Sequence, residues 1–221
     1  MQHPFHRLGI NPALVTIALA GCAGTAPQAG AVTPATDAHA APAVAPVPRH
    51  KTYTRADVDF MTGMISHHAQ AVLIAGWAPT HDASGSLRTM CERIVVGQQD
   101  EIALMRRWLG DRGEALPDPD MASHMMPGMD HGMMMPGMLS PEQLARLGRA
   151  RGPEFDRLFL TGMIMHHQGA MTMVNQLFGT QEGGQEQTVF RMASDIFADQ
   201  STEIARMQKM LAALPPAATS P

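Results

Sequence analysis

Residues 60–68 read FMTGMISHH and residues 159–167 read FLTGMIMHH, so one nine-residue pattern occurs twice at an offset of 99. Further along the chain, residues 98–105 read QQDEIALM and residues 200–207 read QSTEIARM, at an offset of 102. Repetition on this scale indicates a duplicated structural unit. Each unit consists of two segments joined by a turn, and the turn is three residues longer in the second copy.

Both segments of each copy have the periodicity of α-helices, with apolar residues recurring at spacings of three and four. Thr54 with Asp57 is a helix-start signal, and Gly110 is predicted to end the second helix. We predict helices over about 55–76, 84–109, 153–178 and 185–214, and a short extra helix from Ser140-Pro141. The predicted fold is therefore all-α, a four-helix bundle over 53–214 made of two duplicated helical hairpins, followed by a tail over 215–221.

The composition excludes several classes of protein. The 221 residues carry a net charge of −4 and only 5% aromatic side chains, so we predict no nucleic-acid partner. Two cysteines are too few for a disulfide scaffold or a cysteine-rich zinc module. Twenty methionines and 11 histidines exceed what a core of this size requires.

The N-terminus has the pattern of an export signal. A short apolar run over 14–20 leads into Leu19-Ala20-Gly21-Cys22, which resembles the bacterial lipobox, whose cysteine becomes lipidated. We predict a lipoprotein signal peptide over 1–21, lipidation of Cys22 and an Ala/Pro-rich tether over 22–52. The protein would then lie in the cell envelope, at the periplasmic face of the outer membrane. An ordinary signal peptide with an incidental cysteine is the alternative.

Two histidine pairs lie near the middle of the first and third long predicted helices, so they are level whichever way the helices run. Each pair is preceded by a methionine at a spacing of three or four residues, which brings a thioether to either imidazole. We predict one central site, and the thioethers favour Cu(I) or Ag(I). The alternative is a set of buried polar groups bonded to Gln and Glu. The candidate ligands are His67, His68, Met64, His166, His167 and Met163.

A second candidate site is the connection between the hairpins, where residues 121–138 contain eight methionines and two histidines. Pro and Gly prevent a stable helix there, so we predict an exposed loop rather than a core stripe. Flexible thioethers and imidazoles suit Cu(I) or Ag(I), with Cu(II) a further candidate. The alternatives are a hydrophobic low-complexity linker and a promiscuous methionine surface. The candidate ligands are Met121, His124, Met125, Met126, Met129, His131, Met133, Met134, Met135 and Met138.

Six acidic and amide side chains are predicted to hydrogen-bond to the metal ligands and orient them. The alternatives are that they cap the bundle or are solvated. Counting back from the hairpin turn places Gln98 and Glu101 level with Asp57 and not with His68. No Glu stands three residues before any of the paired histidines, so the di-iron pattern is absent and no catalytic residue is predicted. The six residues are Asp57, Gln98, Glu101, Asp156, Gln200 and Glu203.

The paired Met-Ile-x-His-His motifs, each followed about thirty residues later by Gln-x-x-Glu-Ile-Ala-x-Met, resemble the domain of unknown function 305 family. The resemblance covers about 53–214 and implies a ferritin-like four-helix fold. It also implies a copper-binding role in the envelope, because some exported members of that family bind copper and contribute to copper tolerance. Sequestration and transfer both remain open, and transfer implies a copper-handling protein partner. The alternatives are a ferritin-like metal-dependent oxidase and a structural or interaction module of the envelope.

Overall fold

The structure, a computed structural model, describes residues 52–117 and 135–216. Contacts divide the chain into residues 1–47 and 48–221, and every described residue belongs to the second unit. The described elements are α1 (Arg55–Ala75), a 3-10 turn (Ala78–Thr80), α2 (Gly85–Asp111), α3 (Pro141–Arg149), α4 (Gly152–Gly179) and α5 (Gln187–Ala213). The prediction of an all-α bundle is confirmed, and the described ranges contain no strand. The predicted signal peptide, Cys22 and residues 118–134 lie outside the described residues.

Local sequence sets where the helices begin and end. Thr54 and Asp57 form a capping box at the start of α1, in which each side chain accepts a hydrogen bond from the other residue's backbone N–H. Ser140 begins α3 in the same way. The prediction that Gly110 ends the second helix is wrong. Helix α2 continues through Asp111, and Gly113 takes the left-handed conformation that closes the helix, with a φ of 68°.

The four long helices form two hairpins that share one interior. Helix α1 packs against α2, helix α4 packs against α5, and the contact between α1 and α4 joins the halves. Each of the two hydrophobic clusters mixes both copies of the repeat. One combines Leu87 and Ile94 with Phe159, and the other combines Met64 with Val189. Because neither hairpin buries these side chains alone, the duplicated halves fold as a single bundle.

Two aspartates at equivalent positions of the repeat connect the hairpins at their ends. Asp57 accepts a hydrogen bond of 2.7 Å from the backbone N–H of Gly184, in the α4–α5 turn. Asp156 accepts hydrogen bonds of 3.2 and 3.3 Å from the backbone N–H of Ser84, the residue that caps α2. Each hairpin therefore fixes the turn of the other. These carboxylates bind backbone amides, in agreement with the capping alternative.

Residues 135–139 are docked on the bundle, so the prediction of an exposed loop over 121–138 is wrong at its C-terminal end. Met138 and Leu139 are buried, and the side-chain amide of Gln70 exchanges two hydrogen bonds with the Leu139 backbone. A Cβ at Gly169 would lie 1.9 Å from the carbonyl oxygen of Pro136. Only glycine therefore allows α4 and this segment to approach so closely.

We expect Gly169→Ala to destabilise the bundle by roughly 2 kcal/mol or more, because the new methyl group overlaps a backbone atom that cannot rotate away. The matched control is Gly97→Ala, in helix α2, where an added Cβ meets nothing within 4 Å. That change should stabilise the protein by about 0.5–1 kcal/mol, because alanine loses less backbone entropy. Urea denaturation measures both changes, and equal effects of the two variants would contradict the close approach.

Candidate metal site

The four paired histidines are completely buried in the centre of the bundle, on α1 and α4. The rings of His67 and His166 face each other across the two helices, with ring centroids 3.8 Å apart. Within each pair the ring centroids lie 6.3 Å apart in α1 and 6.1 Å apart in α4. The structure therefore brings together one histidine from each copy, while the second member of each pair contacts a glutamate.

Each of the four rings makes its hydrogen bond through Nε2. Nε2 of His67 donates to the carbonyl oxygen of Pro136 at 2.9 Å, and Nε2 of His166 donates to the carbonyl oxygen of His67 at 3.0 Å. Nε2 of His68 lies 2.7 Å from Oε2 of Glu101. In the second copy, the Nε2 of His167 lies 2.6 Å from Oε2 of Glu203. All four partners are hydrogen-bond acceptors, so the hydrogen is on Nε2.

The remaining nitrogen of each ring is unsatisfied. Nδ1 of all four histidines is buried and has no hydrogen-bond partner among the described residues. A buried polar atom without a partner costs about 1–3 kcal/mol, so such a set requires an explanation. Histidines that bind metals typically donate the other ring N–H to a carboxylate or a backbone carbonyl. The four rings meet that requirement, and their Nδ1 atoms are the ones left without a partner.

The environment keeps the two facing imidazoles neutral. Burial, reinforced by the neighbouring His68, lowers the pKa of His67 to about 3. Burial and the approach of His67 lower the pKa of His166 well below its ordinary value. A neutral imidazole with hydrogen on Nε2 has its lone pair on Nδ1, which is the form that binds a metal ion.

Buried methionines are present in both hydrophobic clusters of the bundle. Met64 and Met163, the predicted thioether ligands, are completely buried in the bundle core. Met135 and Met173 approach α1 at Gly63, where Sδ of Met135 and Cε of Met173 each lie 3.4 Å from the position of an added Cβ. Met173 was not among the predicted ligands, because its equivalent in the first copy is Ile74 and the repeat carries no signal at this position.

The four histidines do not form the single metal cluster that the sequence predicted. Across residues 52–117 and 135–216, no group of three or more His, Cys, Asp or Glu side chains is placed to hold one ion. A site in this region would therefore use at most two imidazoles and would need further ligands of another kind, such as thioethers. Cu(I) and Ag(I) accept such mixed sets, since they favour soft ligands.

The family model for the domain of unknown function DUF305 matches residues 57–211. This chain belongs to the DUF305 family. The match includes both copies of the histidine-pair motif and all four long helices. No curated protein matches the chain at a significant level.

Solved structures of DUF305 proteins have the same fold. A DUF305 fragment from Deinococcus radiodurans is 28% identical, covers 72% of this chain and 97% of its own, and superimposes with a TM-score of 0.61. A DUF305 protein from Streptomyces coelicolor, described as secreted, is 25% identical and covers 71% of this chain and 92% of its own, with a TM-score of 0.60. CopM in its Cu(I)-bound form is 26% identical and covers 71% of this chain and 95% of its own, with a TM-score of 0.54. CopM has also been solved bound to Cu(II) and to silver.

In this DUF305 domain Glu101 lies level with His68. The prediction from the sequence, that it lies level with Asp57, is wrong. The prediction counted residues back from the turn and assumed that the middle of the connection between α1 and α2 is also the middle of the hairpin. The connection over 76–84 instead continues beyond the end of α1 before α2 begins. The hydrogen bond from Tyr53 to Glu114 shows the same register at the far end of the hairpin. Glu101 is therefore within hydrogen-bonding distance of His68.

The predicted ligands of the connecting segment are only partly covered by the structure. Met135 and Met138 are described and lie against the bundle, as given above. None of the helices within the described ranges combines the length and apolar character required to cross a membrane. The predicted ligands outside the described residues are Met121, His124, Met125, Met126, Met129, His131, Met133 and Met134.

Proposed function

We propose that this DUF305 protein is a copper-binding protein of the cell envelope that holds Cu(I) through imidazole Nδ1 atoms and methionine sulfur. The observation that carries the proposal is the set of four buried imidazoles whose Nε2 atoms are hydrogen-bonded and whose Nδ1 atoms have no partner. The similarity to CopM, solved with Cu(I), Cu(II) and silver, supports the same choice of metal.

Cu(I) is favoured over harder ions by the ligands available. Met64 and Met163 are completely buried, and each stands three and four residues before the paired histidines of its helix. Thioether sulfur selects soft ions such as Cu(I) and Ag(I). His67 and His166 are neutral at physiological pH because burial lowers their pKa values, so no proton has to be displaced before metal binds. Cu(II), which prefers nitrogen and oxygen, would use imidazole without sulfur.

We propose binding rather than catalysis as the role of this site. All four imidazoles are completely buried, so a bound ion would be shielded from substrates larger than the ion itself. Such enclosure suits sequestration, copper tolerance or transfer to a copper-handling partner. The methionine-rich segment over 121–134 would add capacity for Cu(I), since Cu(I) imposes little geometric demand on its ligands.

The contribution of that segment is tested by replacing its six methionines, between Met121 and Met134, with leucine. We expect the number of Cu(I) ions per chain to fall, because leucine keeps the bulk and the apolar character but removes the sulfur. Native mass spectrometry after titration under reducing conditions gives the number directly. The bundle should remain folded, because the changes leave Pro136 and Leu139, which bind to α1, in place.

The matched control is the pair Met105→Leu and Met207→Leu, equivalent positions of the repeat whose side chains are completely buried. These changes remove thioethers from the core without altering the segment, and the number of bound ions should stay the same. If the variant with six methionines replaced binds as many Cu(I) ions as the wild-type protein, the segment is a linker and does not bind copper.

We further propose export to the cell envelope, with a lipid anchor at Cys22. The lipobox-like sequence before Cys22 supports the proposal, and the Streptomyces coelicolor relative described as secreted supports export. Cys22→Ala should move the protein from the membrane fraction to the soluble fraction. Cys91→Ala is the control, because Cys91 is buried and burial raises the pKa of its thiol to about 12, which leaves it unreactive. A membrane fraction unaffected by Cys22→Ala would refute the anchor.

A further inference from the structure

Residues 135–139, which we call the strap, lie across the contact between α1 and α4, the two helices that carry the histidine pairs. The Leu139 backbone exchanges hydrogen bonds of 2.8 and 3.1 Å with the side-chain amide of Gln70 on α1. On α4, the strap approaches so closely that a Cβ at Gly169 would overlap the backbone of Pro136. The strap is therefore docked on both halves of the duplicated bundle.

The strap also supplies one of the hydrogen-bond acceptors of the buried imidazoles. The carbonyl oxygen of Pro136 accepts the hydrogen bond of His67 Nε2 at 2.9 Å. The acceptors of the other three rings belong to α1, α2 and α5, so Pro136 is the one acceptor of the four that lies outside a helix. A hydrogen held on Nε2 leaves the lone pair on Nδ1. The strap therefore fixes the tautomer of His67 that can bind a metal ion.

An ion can reach the Nδ1 atoms of His67 and His166 only when part of the bundle opens, because both rings are completely buried. Helices α1 and α4 have 21 and 28 residues, and separating them would expose the core that the two hairpins share. The strap contains no helix or strand, and its first three residues are half-buried. Local opening costs least where few contacts hold a short segment. Opening of the strap is therefore the least costly way to uncover His67.

We propose that the strap controls the exchange of Cu(I) at the buried imidazoles, opening to admit or release the ion and, when closed, holding His67 in the tautomer that binds it. The inference rests on the proposed copper site. A metal ion on Nδ1 makes the Nε2 hydrogen a stronger donor, so a bound ion strengthens the hydrogen bond to Pro136. Because such coupling is reciprocal, bound Cu(I) stabilises the closed strap, and the closed strap retains Cu(I).

Gly137→Ala tests the strap without altering any helix. Gly137 has a φ of 77°, and an added Cβ would overlap the carbonyl oxygen of Met165 and lie 2.8 Å from Cα of Gly169. We expect this change to open the strap and to accelerate the release of Cu(I) by about tenfold or more. Stopped-flow transfer of Cu(I) to a chromophoric chelator measures the rate. The full chain is used, with the six methionines between Met121 and Met134 replaced by leucine so that the bundle site is followed.

The matched control is Gly113→Ala, in the same background. Gly113 has the same left-handed conformation, with a φ of 68°, but an added Cβ meets nothing within 4 Å. This change introduces the same backbone strain outside the strap, so the release rate should stay the same. Gln70→Leu is a second test, because it removes the hydrogen bonds to Leu139 from the α1 side and should also accelerate release.

The reciprocal effect is measured by hydrogen exchange of the Leu139 amide, which donates to Gln70 at 2.8 Å. We expect this amide to exchange more slowly when Cu(I) is bound. The proposal is overturned if Gly137→Ala and Gln70→Leu release Cu(I) no faster than Gly113→Ala, or if bound Cu(I) leaves the exchange rate unchanged. A bundle with intact histidines that binds no Cu(I) would refute the copper site and the role of the strap together. Release that does not respond to the strap variants would refute the role of the strap alone.

Discussion

The double variant His67→Gln, His166→Gln should bind Cu(I) at the bundle site at least about 100-fold more weakly than the wild-type protein. The loss of a metal ligand exceeds the roughly 10–100-fold effect of changing a residue that only supports a ligand. Glutamine is chosen because its amide N–H can replace the Nε2–H that donates to Pro136 and to the backbone oxygen of His67. The change therefore removes the Nδ1 lone pair and retains the structural hydrogen bond.

Competition with a chromophoric Cu(I) chelator measures this affinity, and it should be measured with the methionines of 121–134 replaced by leucine. That background leaves the bundle as the remaining predicted site. Circular dichroism checks that the variant is folded.

The matched control is His81→Gln, a substitution of another buried histidine. Nδ1 of His81 is 2.9 Å from the carbonyl oxygen of Trp77, and its Nε2 is 2.9 Å from that of Gly148. Nδ1 of His81 also lies 3.0 Å from the hydroxyl of Thr80, so both ring nitrogens already contact protein atoms and neither is free for a metal ion. The loss of this imidazole should therefore leave Cu(I) affinity unchanged. If the double variant binds Cu(I) as tightly as the protein with intact histidines in the same background, the two facing imidazoles are structural and do not hold the ion.

Phe159→Ala should have the largest effect on stability, about 3–5 kcal/mol, because it opens a cavity where the two hairpins meet. Phe159 is completely buried and belongs to the cluster that also contains Leu87 and Ile94 of the first copy. For a domain of this size, such a loss lowers the melting temperature by roughly 10 °C. Thermal unfolding followed by circular dichroism measures the shift.

Phe178→Ala is the corresponding control. Phe178 lies near the end of α4, is 40% exposed and contacts Phe190, with ring centroids 5.6 Å apart. Truncation there removes little buried area, so we expect a loss of about 1 kcal/mol or less. If Phe159→Ala costs no more than Phe178→Ala, the two hairpins do not share a core, and the bundle would have to be described as two separate units.

Much of the fold could be predicted from the sequence because it depends on local patterns. The three-and-four spacing gave the four long helices, and the capping residues Thr54 and Ser140 gave the starts of α1 and of the short helix α3. The error at Gly110 has a local cause as well. Two glycines lie three residues apart, and only the backbone conformation shows that Gly113, not Gly110, closes the helix.

The arrangement of the site could be predicted less well from the sequence, because it depends on contacts between residues that are distant in the chain. Glu101 was predicted to lie away from His68 because counting equal numbers of residues back from the turn assumes that α2 begins level with the end of α1. The connection over 76–84 instead continues beyond α1 before α2 begins. Met173 was missed because Ile74 replaces it in the other copy. Pro136 was assigned to an exposed loop, although its carbonyl accepts the hydrogen bond of His67.

The sequence by itself determined the duplicated helical hairpins, the concentration of methionine and histidine, and the placement of one histidine pair in the middle of a helix in each copy. These features follow from spacing along one chain, which fixes the face and the depth of a side chain on its helix. Only the tertiary structure decided which imidazoles meet, which nitrogen of each ring is hydrogen-bonded and which is left without a partner. The partners of the four rings lie between 33 and 99 residues away in the chain, and it is the packing of the helices that brings them within hydrogen-bonding distance.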